Sequence, residues 1–416
     1  MSPVLFSEHD YFELRLFLEE LVGDLSRRNY AACHGGSLFD VRIRHEVKLG
    51  SNNVYADMLV ESDAGVSYFV EVDFGYSGPR IIESLERKFG QTEFDYGNID
   101  RLVLVVDQHR HSNWGEFESE IRRTLPTSWK LDIWNEQDLL TLIHEYYSIE
   151  LSALTLDAIP LLRQALDKAK GTHAFGDAYA NDPLDSLLLW QFGYGRLQNL
   201  YIAADCNKRE ILCPGTYSSV VVLFADLSGF SGYVRDTPDH RTIRDCLSAF
   251  CTKARHQILS DGGMLYQFLG DAVIGLFGIP DRDRGYVERS YECAKSLLVL
   301  AESVSNEWQR QLDRLQPIGG GHVGMAMGDL ELLSLRSFSR SHIGLIGDSI
   351  NMAARLSSFA QSGQIAMSNI VFRGLCANSQ QTLREAEPIE AKNIGRIKGW
   401  IYDSVNSPSH EMRKFN

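Results

Sequence analysis

Two aspartates stand where a strand would hand its chain to a turn. Asp226 closes the apolar run VVVLFAD and is followed at once by Leu-Ser-Gly-Phe, and Asp271 lies in FLGDAVIG between two further apolar runs. Runs of β-branched and aromatic residues bounded by glycine read as strands, so each carboxylate is expected at a strand end. Two carboxylates together with substrate phosphates are what Mg²⁺ or Mn²⁺ requires, at oxygen distances of about 2.1 Å. The glycine-rich turn after Asp226 adds backbone N–H groups of the kind that cradle phosphate. Farther on, Asn351 and Arg355 are four apart in SINMAARL, so on a helix they share a face and can grip one anion. Each feature has a plainer reading alone: a helix cap, a turn acid, a polar helix face.

The elements that must position these residues follow from periodicity. From 216 onward the order is a strand (YSSVVVLFAD), a helix (HRTIRDCLSAFCTKARHQILSD), a strand pair (MLYQFLGD, AVIGLFG), a long helix, a strand (GGHVGMAMG) and a helix (SINMAARLSSFA). Helices packed on a mostly antiparallel sheet describe an α+β, ferredoxin-like domain, expected over 216–405 with a tail at 406–416. Residues 1–150 mix a leading helix with strands such as VRIRHEVKL, YADMLVE and VSYFVEVDF, an α/β pattern. The leucine- and alanine-rich stretch 151–215 reads as a helical connector.

Composition sets the outer limits. The chain has 416 residues, 44% of them hydrophobic and 23% charged, the balance of a folded protein rather than a disordered one. A formal charge of −14 disfavours general nucleic-acid binding. Seven cysteines without a CxxC pair fit reduced thiols and a cytoplasmic location. No run approaches the roughly 18 apolar residues that cross a bilayer, so neither a membrane span nor secretion is expected.

Taken together, FADLSGF at 224–230, FLGDAVIGLFG at 268–278, HVGMAMG at 322–328 and LIGDSINMAARL at 345–356 resemble the catalytic domain of class III nucleotidyl cyclases, the adenylate and guanylate cyclase family. The resemblance covers about residues 218–403. It implies a head-to-tail homodimer with composite sites acting on a nucleoside triphosphate. Asp226 and Asp271, helped by the Leu227 carbonyl, would hold two Mn²⁺ or Mg²⁺ ions. Asn351 and Arg355 would come from the other subunit, positioning the ribose and stabilising charge on the α-phosphate. Backbone at Ser228, Gly229 and Phe230 would bind phosphate oxygens, with a basic residue near the C-terminus. Lys392, Arg396 and Lys398 are the candidates for that role, Lys392 first.

The base-reading positions depart from the purine enzymes of the family. Adenylate cyclases carry a lysine, and guanylate cyclases a glutamate, where this chain has Gln267; Gly344 replaces the aspartate or threonine of the adenylate enzymes. A glutamine amide both donates and accepts, and glycine reads nothing. Tyr266 adds bulk, although strict strand alternation would turn it away from the face shared by Gln267 and Asp271, and a core aromatic is the expected reading. Loss of both purine codes resembles the pyrimidine cyclases of Pycsar anti-phage systems, the uridylate branch above all, whose cyclic product acts on a separate effector. The cytidylate reaction, an adenylate cyclase with an altered pocket, and a degenerate nucleotide-binding or dimerisation module remain as alternatives.

In the front region, Asp57 followed by Glu71-Val-Asp73 resembles the restriction-endonuclease core, but the lysine of that pattern is an aspartate here. Hydrolysis would need Lys88 on the next helix to replace it, and a plain acidic strand end in a sensory or dimerisation domain is the simpler expectation. His34 and His342 read as loop residues.

Overall fold

In the computed structural model, described for residues 8–50, 53–62, 67–90, 99–108, 111, 113–204, 210–333, 344–391 and 395–404, the chain forms two compact units, 1–173 and 174–416. Lys392, His342 and the tail at 406–416 lie outside the described residues.

The first unit runs α1 (Glu8–His34), β1 (Val41–Lys48), β2 (Tyr55–Ser62), β3 (Tyr68–Val72), α2 (Gly78–Phe89), β4 (Arg101–Val105), α3 (Trp114–Thr124), β5 (Lys130–Trp134), α4 (Glu136–Tyr147) and α5 (Ile159–Phe175). Its five strands lie in sequence order, antiparallel from β1 to β3 and parallel from β3 to β5. Alternation splits β3 between two cores. Tyr68, Val70 and Val72 pack with Leu18, Val22, Leu139 and Leu162 from α1, α4 and α5, whereas Phe69 packs with Ile81, Leu85 and Phe89 of α2 and Ile121 of α3. The result is an α/β layer structure, as the sequence implied. His34, expected in a loop, instead ends α1 and stacks on Tyr30, one helical turn earlier.

The second unit begins with α6 (Pro183–Phe192) and α7 (Tyr194–Ala204). The stretch read as a connector is thus shared, α5 contributing Leu162 and Leu166 to the first core and α6 lying in the second unit. There Arg255 donates to the Trp190 carbonyl (2.9 Å), and the buried Arg196 donates to the Ile279 carbonyl (3.0 Å). Next come β6 (Gly215–Leu227), α8 (Phe230–Asp236), α9 (His240–Ser260), β7 (Met264–Leu269), β8 (Ala272–Phe277), α10 (Tyr286–Arg310), β9 (Gly321–Leu332), β10 (Leu345–Ile346) and α11 (Asp348–Phe359). The remainder is β11 (Gln364–Ser368), α12 (Asn369–Gly374), α13 (Ala377–Gln381), β12 (Leu383–Glu385), β13 (Ile389–Ala391), β14 (Gly395–Ile397) and β15 (Gly399–Asp403).

The main sheet has the order β12-β15-β11-β9-β6-β8-β7, antiparallel except for β9 with β11, which confirms the α+β expectation. Val221, Leu223, Ala225 and Leu227 of β6 point into a core shared with Phe250 and Ile258 of α9 and Tyr291, Leu297 and Trp308 of α10. The intervening residues of β6, Asp226 among them, face the other way. On β9, Val323 and Met325 join that core, while Gly324 lies against the backbone of α11. A Cβ at Gly324 would stand 2.0 Å from the Ala353 carbonyl oxygen, so only glycine lets the helix settle this close to the sheet.

Candidate active site

Asp226 is the penultimate residue of β6, in the middle of the sheet. On one side β8 runs antiparallel to it, with Ala225 opposite Val273, so the two-residue turn Gly270-Asp271 joining β7 to β8 arrives beside it. Gly270 takes φ of 65°, the positive region expected of glycine opening a two-residue hairpin turn. On the other side, β9 sets His322 opposite Asp226. The expected pair of aspartates therefore meets at one sheet end.

The carboxyl groups of Asp226 and Asp271 are near enough to perturb each other's titration. Burial, together with the neighbouring Asp226 carboxyl, pushes Asp271 up to about 7; burial also raises Asp226. Two carboxylates this close disfavour each other's charge and titrate as a pair. The Asp226 Oδ1 is buried without a hydrogen-bond partner. Hard oxygen ligands, mutual repulsion and an orphaned oxygen fit a divalent cation, which removes the repulsion and supplies the missing partner. No three His, Cys, Asp or Glu side chains among the described residues form a ready metal cage. Two carboxylates suit Mg²⁺ and Mn²⁺, which are commonly completed by water and phosphate oxygens.

His322 was not anticipated. Its Nε2 lies 3.7 Å from Asp226 Oδ2, and its Nδ1 is 2.9 Å from Ser228 Oγ. Burial lowers its pKa against the opposing pull of Asp271, favouring the neutral ring. The imidazole therefore links strand end to turn. Its only signal in the sequence was its place at the head of HVGMAMG, because the register opposite Asp226 is a tertiary fact.

The turn after Asp226 is tightly held. Ser228 is buried, its N–H donating to the Gly320 carbonyl (2.9 Å) and its hydroxyl paired with His322. Both groups are occupied here, which leaves the turn's anion-facing capacity to Gly229 and the first turn of α8 at Phe230, where N–H groups precede any intrahelical acceptor. Gly229 has φ of 74°, and a Cβ there would meet the Ile318 carbonyl oxygen at 2.7 Å.

Asn351 and Arg355 lie on α11 as expected, one turn apart, Asn351 exposed and Arg355 half-buried. Arg355 Nη1 is a buried donor without an acceptor. Neither residue makes a hydrogen bond or ion pair with Asp226 or Asp271 within the single chain. Near the C-terminus, Lys398 pairs with Glu385 (2.9 Å) on the surface, and Arg396 lies on β14.

The base-reading positions differ from the alternation argument in one respect. Leu265 pairs with Gly275 and Gln267 with Ile274, so a bulge at Tyr266 interrupts β7. The extra residue breaks the two-residue repeat. Tyr266 is half-buried rather than a core aromatic, and its hydroxyl accepts from the Leu345 N–H at 3.4 Å, next to Gly344. Gln267 is exposed. The bulge thus ties the strand bearing Gln267 to the segment bearing Gly344.

Residues 213–404 match the family described as Adenylate and Guanylate cyclase catalytic domain. Among curated proteins, the uncharacterised protein Rv1319c of Mycobacterium tuberculosis is 23% identical over 169 residues, 41% of this chain and 29% of that protein. The receptor-type guanylate cyclase gcy-23 of Caenorhabditis elegans is 23% identical over 243 residues, 57% of this chain and 21% of its own length. The chain therefore spans less than a third of the length of these curated relatives. Among solved structures, the adenylyl cyclase CyaB of P. aeruginosa is similar at 19% identity with a TM-score of 0.41, covering 47% of this chain and 99% of that one.

Proposed function

We propose that this protein, whose residues 213–404 form a catalytic domain of the adenylate and guanylate cyclase type, converts UTP to 3′,5′-cyclic UMP and pyrophosphate. The single observation that carries the cyclase chemistry is the facing pair Asp226 and Asp271 with its orphaned oxygen. Asp226 and Asp271, with the Leu227 carbonyl, would hold two Mg²⁺ or Mn²⁺ ions. When bound, such ions lower the pKa of the ribose 3′-hydroxyl and neutralise the departing pyrophosphate. In the overall reaction the 3′-oxygen bonds to the α-phosphorus, the bond from that phosphorus to the bridging oxygen breaks, and the hydroxyl proton is released.

The protein's own groups do the positioning. Ser228, Gly229 and Phe230 form the phosphate turn, with the occupied Ser228 holding its shape and the N–H groups of Gly229 and Phe230 facing phosphate oxygens. Lys392 neutralises the outer phosphates. In a homodimer, Asn351 from the second copy orients the ribose, and Arg355 places its buried unpaired donor on the α-phosphate as charge grows there. The absence of any bond from these residues to the aspartates of their own chain supports a composite site.

The pyrimidine assignment rests on three neighbouring features. Gln267 can pair with a pyrimidine edge, Gly344 offers no group to a purine amino substituent, and the bulged Tyr266 spans the two. A ring at that point narrows the space for a two-ring base. A defence signal in the manner of the Pycsar cyclases, acting on a separate effector, is the role such a product would serve.

The test is incubation of the purified protein with Mn²⁺ and ATP, GTP, CTP or UTP singly, with products identified by mass spectrometry. Cyclic UMP as the main product is expected. Cyclic CMP would move the assignment to cytidine, cyclic AMP or GMP would overturn the pyrimidine reading, and no product from any nucleotide would favour a degenerate domain.

A further inference from the structure

His322 stands between the strand that carries Asp226 and the turn read as the phosphate turn. Its Nε2 faces Asp226 Oδ2 at 3.7 Å, and its Nδ1 is 2.9 Å from Ser228 Oγ. The ring has little freedom: β9 holds its backbone opposite Asp226, and the side chain is 17% exposed. Ser228 is anchored independently. Its N–H donates to the Gly320 carbonyl (2.9 Å), and the Gly320 N–H donates in turn to Ser305 Oγ (2.8 Å).

The two partners decide which ring nitrogen carries a proton. An ionised carboxylate only accepts, whereas a serine hydroxyl donates or accepts. Nε2 therefore carries the hydrogen that faces Asp226, and the Ser228 hydroxyl donates to Nδ1. Were Nδ1 protonated as well, the hydroxyl would reverse and the Nε2–H would stay. This arrangement makes the two Asp226 oxygens unequal: Oδ2 faces an N–H, while Oδ1 is buried with no hydrogen-bond partner. A separation of 3.7 Å is an electrostatic contact, longer than a hydrogen bond. It orients the carboxylate and leaves its oxygens available as ligands.

We propose that His322 is a positioning residue that presents Asp226 Oδ1 to the divalent cation, with the Ser228 hydroxyl fixing the ring. The inference rests on the reading of Asp226 as a metal ligand. Groups that hold a ligating side chain from behind commonly change metal affinity by roughly 10- to 100-fold when removed.

In the experiment, Mn²⁺ is titrated into the full chain in about 0.15 M salt, which suppresses diffuse binding to the acidic surface, and free Mn²⁺ is read by electron paramagnetic resonance. Asp226→Asn comes first. An ion lost in that variant is the one at issue; if none is lost, the reading of Asp226 fails and this inference fails with it. Gln places its amide nitrogen near the position of Nε2, and Asn near that of Nδ1. His322→Gln should therefore keep Mn²⁺ affinity within about threefold of wild type, whereas His322→Asn and His322→Leu should weaken it about tenfold or more. Ser228→Ala should weaken it to a smaller degree, with no further loss when added to His322→Leu, because the hydroxyl acts through the ring. Unchanged affinity in His322→Leu, or equal losses in His322→Gln and His322→Leu, overturns the proposal. Should circular dichroism show that His322→Leu fails to fold, Ser228→Ala decides, and an affinity equal to wild type overturns it.

Discussion

Two acidic clusters, one in each unit, are built from the same side chains and end in opposite states. In the second unit Asp226 and Asp271 face each other with His322, whose pKa burial lowers, beside them, and among the described residues no lysine or arginine bonds either carboxylate. In the first unit Asp57, Glu71 and Asp73 surround a lysine, Lys88, that is more buried than Asp57 and nearly as buried as the other two. Burial alone would lower the Lys88 pKa, but the charges of Asp57, Glu71 and Asp73 outweigh it and raise it. Burial raises Glu71 and brings Asp73 to about 6, with the neighbouring carboxylates adding to the effect. An internal cation makes a cluster part of the fold; its absence leaves the cluster's charge to be met from outside.

The largest expected effect breaks the open cluster. Asp226→Asn should reduce turnover beyond detection, and Arg355→Ala should lower kcat by on the order of 10²-fold or more with a smaller change in KM. Neither change should lower the melting temperature much. Mixing the two inactive proteins should restore activity, because a mixed dimer contains one site with both groups intact. Failure of that rescue under conditions where subunits exchange would remove the composite site.

Lys88→Met attacks the closed cluster and should act on stability instead. It leaves buried carboxylates without their cation, a loss of about 3–5 kcal/mol in denaturant unfolding of the first unit. An unchanged midpoint would show that the lysine is dispensable and that the contrast between the clusters fails.

Gly324→Ala tests the scaffold under Asn351 and Arg355. The added methyl would meet Ala353 and Ser357 backbone at 2.0 and 2.2 Å, so a shift of α11 costing about 1–3 kcal/mol is expected. Turnover should fall more than this loss of folded protein explains, since the helix carries both residues.

The smallest effect is a pH slope. Asp271 has a folded pKa of about 7 against an ordinary 3.8, so the stability tied to its proton is fully present below about 3.8 and lost as pH rises through about 7. In EDTA the wild-type second unit should therefore lose more stability between pH 6 and 8 than Asp271→Asn does. Saturating Mn²⁺ should reverse the difference, as the ion replaces the proton.

Much of the candidate site was legible because its residues sit at punctuation. Asp226 and Asp271 each interrupt an apolar run next to glycine, and strand patterning placed both at strand ends. Asn351 and Arg355 followed from helical spacing. Tyr266 was misplaced because alternation presumes an unbroken ladder, and nothing in MLYQFLGD marks the extra residue at the bulge. His322 was passed over because its role depends on which residue β9 sets opposite Asp226. The connector expected at 151–215 dissolved for a similar reason: leucine spacing shows that helices have an apolar face but not which core receives it.

The sequence by itself determined the local elements, the strand-end positions of the aspartates, the shared helical face of Asn351 and Arg355, and a net charge of −14. Tertiary structure alone decided that Asp226 meets both Asp271 and His322, that Tyr266 bonds beside Gly344, and that Lys88 closes one acidic cluster while the other stays open. Periodicity is a property of neighbouring residues along the chain. Strand register, bulges and the sharing of one buried charge by three others depend on contacts between distant segments, and those form only when the sheet assembles.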